Sequence, residues 1–328
     1  MNVAENGPPD ARPMPYADPG ERARIWHPII LVLGSFIAFY IWALVPTIVL
    51  VAMDMSAGRK DAMGPGSLTM TYGLPALGAA FLLILTHFLL WTRVAERRPL
   101  SSIGLFRAGS GRQYANGIVY GALFALLVNL LAVLAANQLG YSVPVMFSGS
   151  LGAIGADALL FAAAIVPIVL VQAGTEEVVF RGWMLSAMSA RTSITAGILI
   201  SSVAFGVFHL DRFLLDPMFA MIFIASTIVL GAFLGTWAVH SKSIAGPAGF
   251  HGAYNGLLFV SEFLDGAANS KPGDPASKIW NDMMSMDSMQ AAVKDIDYLA
   301  LMQTGVIVCS LIGIITLLLS RPVTQEDA

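Results

Sequence analysis

The chain has 328 residues, of which 56% are hydrophobic and 12% charged, with a net charge of −3 and a mean hydropathy of +0.72. A soluble globular domain carries charge on about a quarter of its residues, so that class is excluded. No basic block marks a nucleic-acid partner, and the single cysteine, Cys309, excludes an intramolecular disulfide and a cysteine-based metal site.

In chain order, residues 1–27 are polar and proline-rich, lack a signal-peptide pattern and predict a disordered cytosolic tail. Eight apolar segments follow: Pro28–Met53, Thr69–Trp91, Tyr114–Leu139, Ile154–Val171 running on into Trp183, Ile194–Leu210, Met218–Val239, Ile244–Leu264 and Leu299–Leu319. About 20 apolar residues suffice to cross a bilayer as a helix. The expected fold is an all-α polytopic membrane bundle of about eight transmembrane helices. It divides into the tail, helices one to three over 28–150, a core of helices four to seven over 151–264, an outer loop over 265–298, and a last helix with a short tail over 299–328.

Lys and Arg set the orientation. Arg93, Arg97, Arg98, Arg107 and Arg112 make the loop between spans two and three cytosolic. Arg22, Arg24, Arg191, Lys242 and Arg321 agree with this, and an even span count then puts both termini in the cytosol. Arg59, Lys60 and Arg212 run against the trend, each beside an acid. The outer loop Asp265–Asp297 holds six Asp and three Lys, and its stretch "DMMSMDSM" fits a membrane-surface helix better than a soft-metal site. No transporter-type repeat is visible.

The ionisable residues of the second half fall in three short motifs. "TEEVVFR" holds Glu176, Glu177 and Arg181; "FGVFH" holds Phe205 and His209; "HGAYN" holds His251 and Asn255. Glu177 with Arg181, Phe205 with His209, and His251 with Asn255 are each spaced i, i+4 and share a helix face. Glu176 lies about 100° round the helix from Glu177 and faces elsewhere. A charge at the bilayer centre costs roughly 2.5–3.5 kcal/mol, so these groups are predicted to face one another around a water-filled cavity. A carboxylate beside a histidine can hold and deprotonate water. A histidine and an asparagine on an adjacent helix can donate to a developing oxyanion. These parts suffice for amide hydrolysis by activated water. No Ser-His-Asp arrangement, G-x-S-x-G elbow or H-E-x-x-H is present. The rival is a zinc ion held by Glu176, His209 and His251 with water in the fourth position. The metal-free mechanism is preferred, and no cofactor is expected.

"EEVVFRG", "FGVFH" and "HGAYN" resemble the motifs E-E-x-x-x-R, F-x-x-x-H and H-x-x-x-N of the CPBP intramembrane proteases, also called the CAAX-processing or ABI family. The resemblance covers about Ile154 to Leu264. It implies that Glu176 is the general base, that His209 positions the water, and that His251 and Asn255 form the oxyanion site. Glu177 and Arg181 are then supporting residues and Phe205 packs near the site. It also implies a site within the membrane that opens to the cytosol, a membrane-associated peptide or protein substrate, and a bacterial-type inner membrane. Nothing in the sequence points to a prenylated substrate.

In the simplest layout His209 ends segment five near the outer face while His251 lies near the inner face. The site closes only if segment five runs on past His209 and helix four continues to about Ala190, which places the cavity in the cytosolic half. Taken singly, each motif has a plainer reading. The Glu/Arg cluster fits a helix end, His209 an interfacial residue, and His251 with Asn255 a helix–helix contact. Their joint occurrence favours an endopeptidase over a silent binding or immunity protein and over a small ion-coupled transporter. Elsewhere, His27, His87 and His240 read as structural. Glu262 reads as a solvated helix end. Gly231 and Gly235 form a G-x-x-x-G for close packing.

Overall fold

The computed structural model describes residues 15–16, 28–61, 67–140, 146–147, 154–271, 273–285, 288 and 296–320. The rest of the expected tail, with Arg22, Arg24 and His27, lies outside the described residues, as do Arg321 and part of "DMMSMDSM". Among the described residues every regular element is helical. The helices are α1 (Pro28–Ser56), α2 (Leu68–Leu90), α3 (Ser110–Gln138), α4 (Ala156–Glu177), α5 (Leu185–Arg191), α6 (Ile194–Val207), α7 (Pro217–Ser241), α8 (Ala245–Asn269), α9 (Ala276–Met283) and α10 (Ile296–Leu319).

Local sequence sets the ends of the core helices. The Ser193 side chain accepts from the Ala196 N–H and opens α6. Asp216 accepts from the Phe219 N–H at 2.8 Å, and Pro217, which lacks a donor to lose, starts α7. Lys242 takes a left-handed turn at φ 53° and ends α7. The α4 and α5 helices join through a π-helical stretch, Val178–Met184, into one rod of 36 residues, Ala156–Arg191. Helix four therefore does continue to about Ala190. Segment five also passes His209, but not as an α-helix: the chain tightens into a 3₁₀ turn, Leu210–Leu214.

Among the described residues seven helices are long and apolar enough to cross a membrane. They include every expected span except α8, which forms a 25-residue helix but falls outside that set. The reason is its neighbourhood. Packed against α3, α4 and α7, α8 does not need an apolar surface all round, and it can carry His251, Asn255 and Glu262.

The seating of α8 depends on glycine. A Cβ at Gly117 or Gly121 of α3 would lie 2.1 Å from the carbonyl oxygen of Gly246 or Phe250, and one at Gly249 would lie 2.2 Å from that of Tyr114. The two backbones touch, which only hydrogen at Cα permits. Gly231 and Gly235, the pair expected to pack closely, face Arg181, Ser202, Ile198 and Leu185 inside the bundle.

A second fastening lies at the arginine-rich end. Glu96 Oε1 accepts from the indoles of Trp91 and Trp183 at 3.3 and 3.0 Å. Arg98 reaches Glu96 Oε2 at 3.1 Å and also donates to Ser102 and Ser186. Glu96 and Arg98 are both buried, so Arg98 serves the core as well as the topology. Within the expected tail Tyr16 is buried, and its hydroxyl donates to the Arg181 carbonyl at 2.8 Å.

Four outcomes are expected on thermal unfolding in detergent. Gly121→Leu should lower Tm strongly. Gly34→Ala, at a helical site with open space around it, should raise stability by about 0.5–1 kcal/mol. Arg98→Ala strands a buried carboxylate and should cost about 3–5 kcal/mol. Arg97→Ala, at an exposed neighbour, should stay within about 0.5 kcal/mol.

Candidate active site

Three elements bring the motifs together. The last turn of α4 supplies Glu176 and Glu177, and the π-helical stretch that follows supplies Arg181. The end of α6 supplies Phe205, with His209 at the start of the 3₁₀ turn. The N-terminal half of α8 supplies His251 and Asn255. Such π-helical turns recur at functional sites because they shift side chains out of the regular 3.6-residue register.

Glu177 is the hub. Its Oε1 accepts from Arg181 Nη1 at 3.1 Å and from His251 Nδ1 at 2.9 Å, and the Glu177 and Arg181 side chains are both 0% exposed. With Nδ1–H donated to Glu177, the other ring nitrogen of His251 is left for the cavity. His251 Nε2 lies 3.1 Å from the Asn255 amide nitrogen and 3.6 Å from Glu176 Oε2. In the neutral ring Nε2 accepts from Asn255. In the imidazolium it donates to Glu176 or to a developing oxyanion.

Phe205 holds the cluster apart and in place. Arg181 Cζ sits 4.1 Å above its ring, a cation–π contact. His209 and His251 both meet the same ring edge-on, with centroids at 5.2 and 5.7 Å. Gly231 leaves room for the guanidinium, because a Cβ there would lie 3.0 Å from Arg181 Nη2. His209 Nδ1 lies 2.9 Å from the Phe205 carbonyl. That carbonyl can only accept, so Nδ1 carries the hydrogen and Nε2 has a free lone pair.

Glu176, His209, His251 and Asn255 line one cavity of about 310 Å³, and Phe205 lines it with them. Glu177 and Arg181 lie behind the wall, fully buried. The sequence-predicted residues therefore lie together, with Glu176 on the cavity and Glu177 behind its wall. Among the described residues no group of three or more His, Cys, Asp or Glu is arranged to hold a metal ion. The donors suggested for zinc, Glu176, His209 and His251, do not form such a group.

Three further residues belong to the site without a motif. Gln172, one turn before Glu176, donates to Glu176 Oε1 at 3.4 Å and lines the cavity. Ser226 of α7 donates to Gln303 of α10 across another wall. Their only sequence signal is that each is a polar residue within an apolar span.

No curated protein and no solved structure matches the chain. A family model does: residues 156–257 match the type II CAAX prenyl endopeptidase, Rce1-like. This stretch runs from the first residue of α4 to the middle of α8 and holds all three motifs. Over residues 156–257 the chain is thus similar to the CAAX prenyl endopeptidases, and its apolar helices mark an integral membrane protein.

Proposed function

We propose that the protein is an intramembrane endopeptidase that hydrolyses a peptide bond with water activated by Glu176. One observation carries the reading: Glu177 is consumed by Arg181 and His251, which leaves Glu176 as the carboxylate that faces the cavity within reach of His251. The family match supports CAAX-type endopeptidase chemistry in general. A protein that only bound a peptide would gain nothing from a base held beside an oxyanion site, with Glu176 Oε2 3.6 Å from His251 Nε2.

In the proposed reaction the water oxygen attacks the peptide carbonyl carbon as Glu176 takes its proton. His209 Nε2 accepts a hydrogen bond from the same water and aims it. The carbonyl oxygen becomes an oxyanion, which Asn255 Nδ2–H and His251 Nε2–H stabilise. Donation from His251 requires the imidazolium, which Glu177 supports through Nδ1–H. Collapse breaks the C–N bond, and the proton on Glu176 passes to the leaving amine. No step runs through a metal or cofactor. The substrate is a membrane-associated peptide or protein, and the setting is a bacterial-type inner membrane. The catalytic level lies in the half nearer the arginine-rich end, since His251 is only six residues, about 9 Å, into α8.

Glu176→Gln should abolish cleavage with no loss of Tm, because shape is kept and the base is removed. Cut termini in membrane proteins and peptides, compared between cells carrying wild type and this variant at matched levels, check it. Identical termini would refute the assignment. Asn255→Ala should lower the rate roughly 10²–10³-fold, as for one lost oxyanion donor. Arg181→Ala should act differently, lowering stability by about 3–5 kcal/mol through the stranded Glu177 carboxylate. Cleavage should persist in a chelator; loss that zinc restores would move the assignment to a zinc site.

A further inference from the structure

Away from the three motifs, α7 and α10 build one wall of the cavity. Phe219, Phe223, Leu230, Leu299 and Val306 make most of it apolar. Ser226 of α7 and Gln303 of α10 interrupt it. Ser226 is buried, and its hydroxyl donates to Gln303 Oε1. Gln303 lies outside residues 156–257, on a helix that supplies none of the motif residues.

The pair sits level with the catalytic residues. Phe223, three residues before Ser226, meets the His209 ring with centroids 5.5 Å apart. Gly231, five residues after Ser226, abuts Arg181, whose Nη2 would lie 3.0 Å from a Cβ there. Along α7, Ser226 is therefore about 4.5 Å from the first and about 7.5 Å from the second. An extended peptide advances about 3.3 Å per residue. A main-chain group one or two residues from the bond to be cut thus comes level with Ser226 and Gln303.

Hydrogen bonding leaves the Gln303 donors for the cavity. A primary amide has one acceptor oxygen and two N–H donors. Oε1 takes the Ser226 hydroxyl. That hydroxyl is also 2.8 Å from the Phe223 carbonyl, but Thr227 already donates to the same carbonyl at 2.7 Å, which leaves the Ser226 hydrogen for Gln303. Among the described residues Nε2 makes no hydrogen bond. A peptide entering these apolar surroundings gives up water, and each carbonyl left unpaired weakens its binding. His251 and Asn255 are placed to serve the scissile carbonyl, so a neighbouring carbonyl needs a donor from another wall.

We propose that Gln303, held by Ser226, is a substrate-binding residue whose Nε2–H donates to a main-chain carbonyl one or two residues from the scissile bond. The ligand class is a short, extended, apolar peptide segment. The apolar walls take its side chains, and Gln303 grips its backbone whatever side chain stands there. A cavity of about 310 Å³ is at the small end for a ligand site and suits such a short stretch. The assignment rests on the endopeptidase reading and deepens it.

The probe is a library of synthetic nonapeptides, acetylated and amidated, with apolar residues at varied positions, mixed in detergent with the full-length protein. Retention on immobilised Glu176→Gln protein is read by mass spectrometry. It is compared with retention on the same protein carrying Gln303→Met or Gln303→Glu. Methionine keeps the length and loses the amide; glutamate keeps an acceptor for Ser226 and loses both donors. Each is expected to lower retention roughly 10-fold. The loss should run evenly across the library, since every peptide carries the carbonyl, and Gln303→Met should leave Tm little changed. Equal retention on parent and Gln303→Met, or no retention on either, overturns the proposal. So does full retention on Gln303→Glu, a loss confined to peptides with one type of side chain, or a loss that tracks a fall in Tm. Cleavage is read separately, by incubating the wild-type protein with the same library. A library left uncut while Gln303-dependent retention persists sinks the protease reading and leaves the peptide subsite standing.

Discussion

One carboxylate oxygen, Oε1 of Glu177, accepts from Arg181 on its own helical rod and from His251 on α8. Both bonds are formed away from water, where charge interactions are much stronger than at a surface. They link the rod of α4 and α5 to α8 and fix the plane of the His251 ring. They also select a tautomer, since a carboxylate can accept only from an N–H. Everything that faces the cavity follows from this commitment. With Glu177 used, Glu176 is the carboxylate that the proposed mechanism employs. With Nδ1 used, Nε2 is the nitrogen that it turns to a substrate oxygen. Phe205 completes the arrangement by giving Arg181, His209 and His251 one aromatic surface to pack on.

Such a hub works only if the helices that carry it cannot slide. Backbone contact between α3 and α8 at Gly117, Gly121 and Gly249 provides that restraint. Apolar side chains slide against one another at modest cost, whereas carbonyl oxygens against Cα atoms leave no slack. The Glu96–Arg98 knot anchors the end of α2 to Trp183 and Ser186 on the rod. Glu177, Arg181, Glu96 and Arg98 are all buried ions, and each one left without its partner is far costlier than the pair. The bundle therefore holds its catalytic geometry through a few irreplaceable contacts more than through apolar packing, which lipid would supply as readily.

The same contacts frame the cavity. Among the described residues it lies between α7, α8 and α10, where α6 gives way to a 3₁₀ turn and α8 runs on to Asn269.

Much of this was legible in the amino-acid order. Composition dictated helices, because a backbone in hydrocarbon must satisfy its own hydrogen bonds. The i, i+4 spacings put the partners of each motif on one face, and the length of the apolar run foretold a rod reaching about Ala190. Adjacent glutamates about 100° apart had to face different surroundings. The sequence could not say what those surroundings were. That Glu177 meets His251, that Gly117 and Gly121 matter more to α8 than their spacing reveals, and that Gln172 reaches Glu176 depend on how separate helices come together. Tyr16 is the sharpest case: its flanks read as a tail, and its burial is decided by a socket formed of residues some 90 to 230 positions away. Local pattern determines what each helix offers on each face; only packing decides which offers meet, because the energies that choose among them are contacts between segments that the chain order keeps apart.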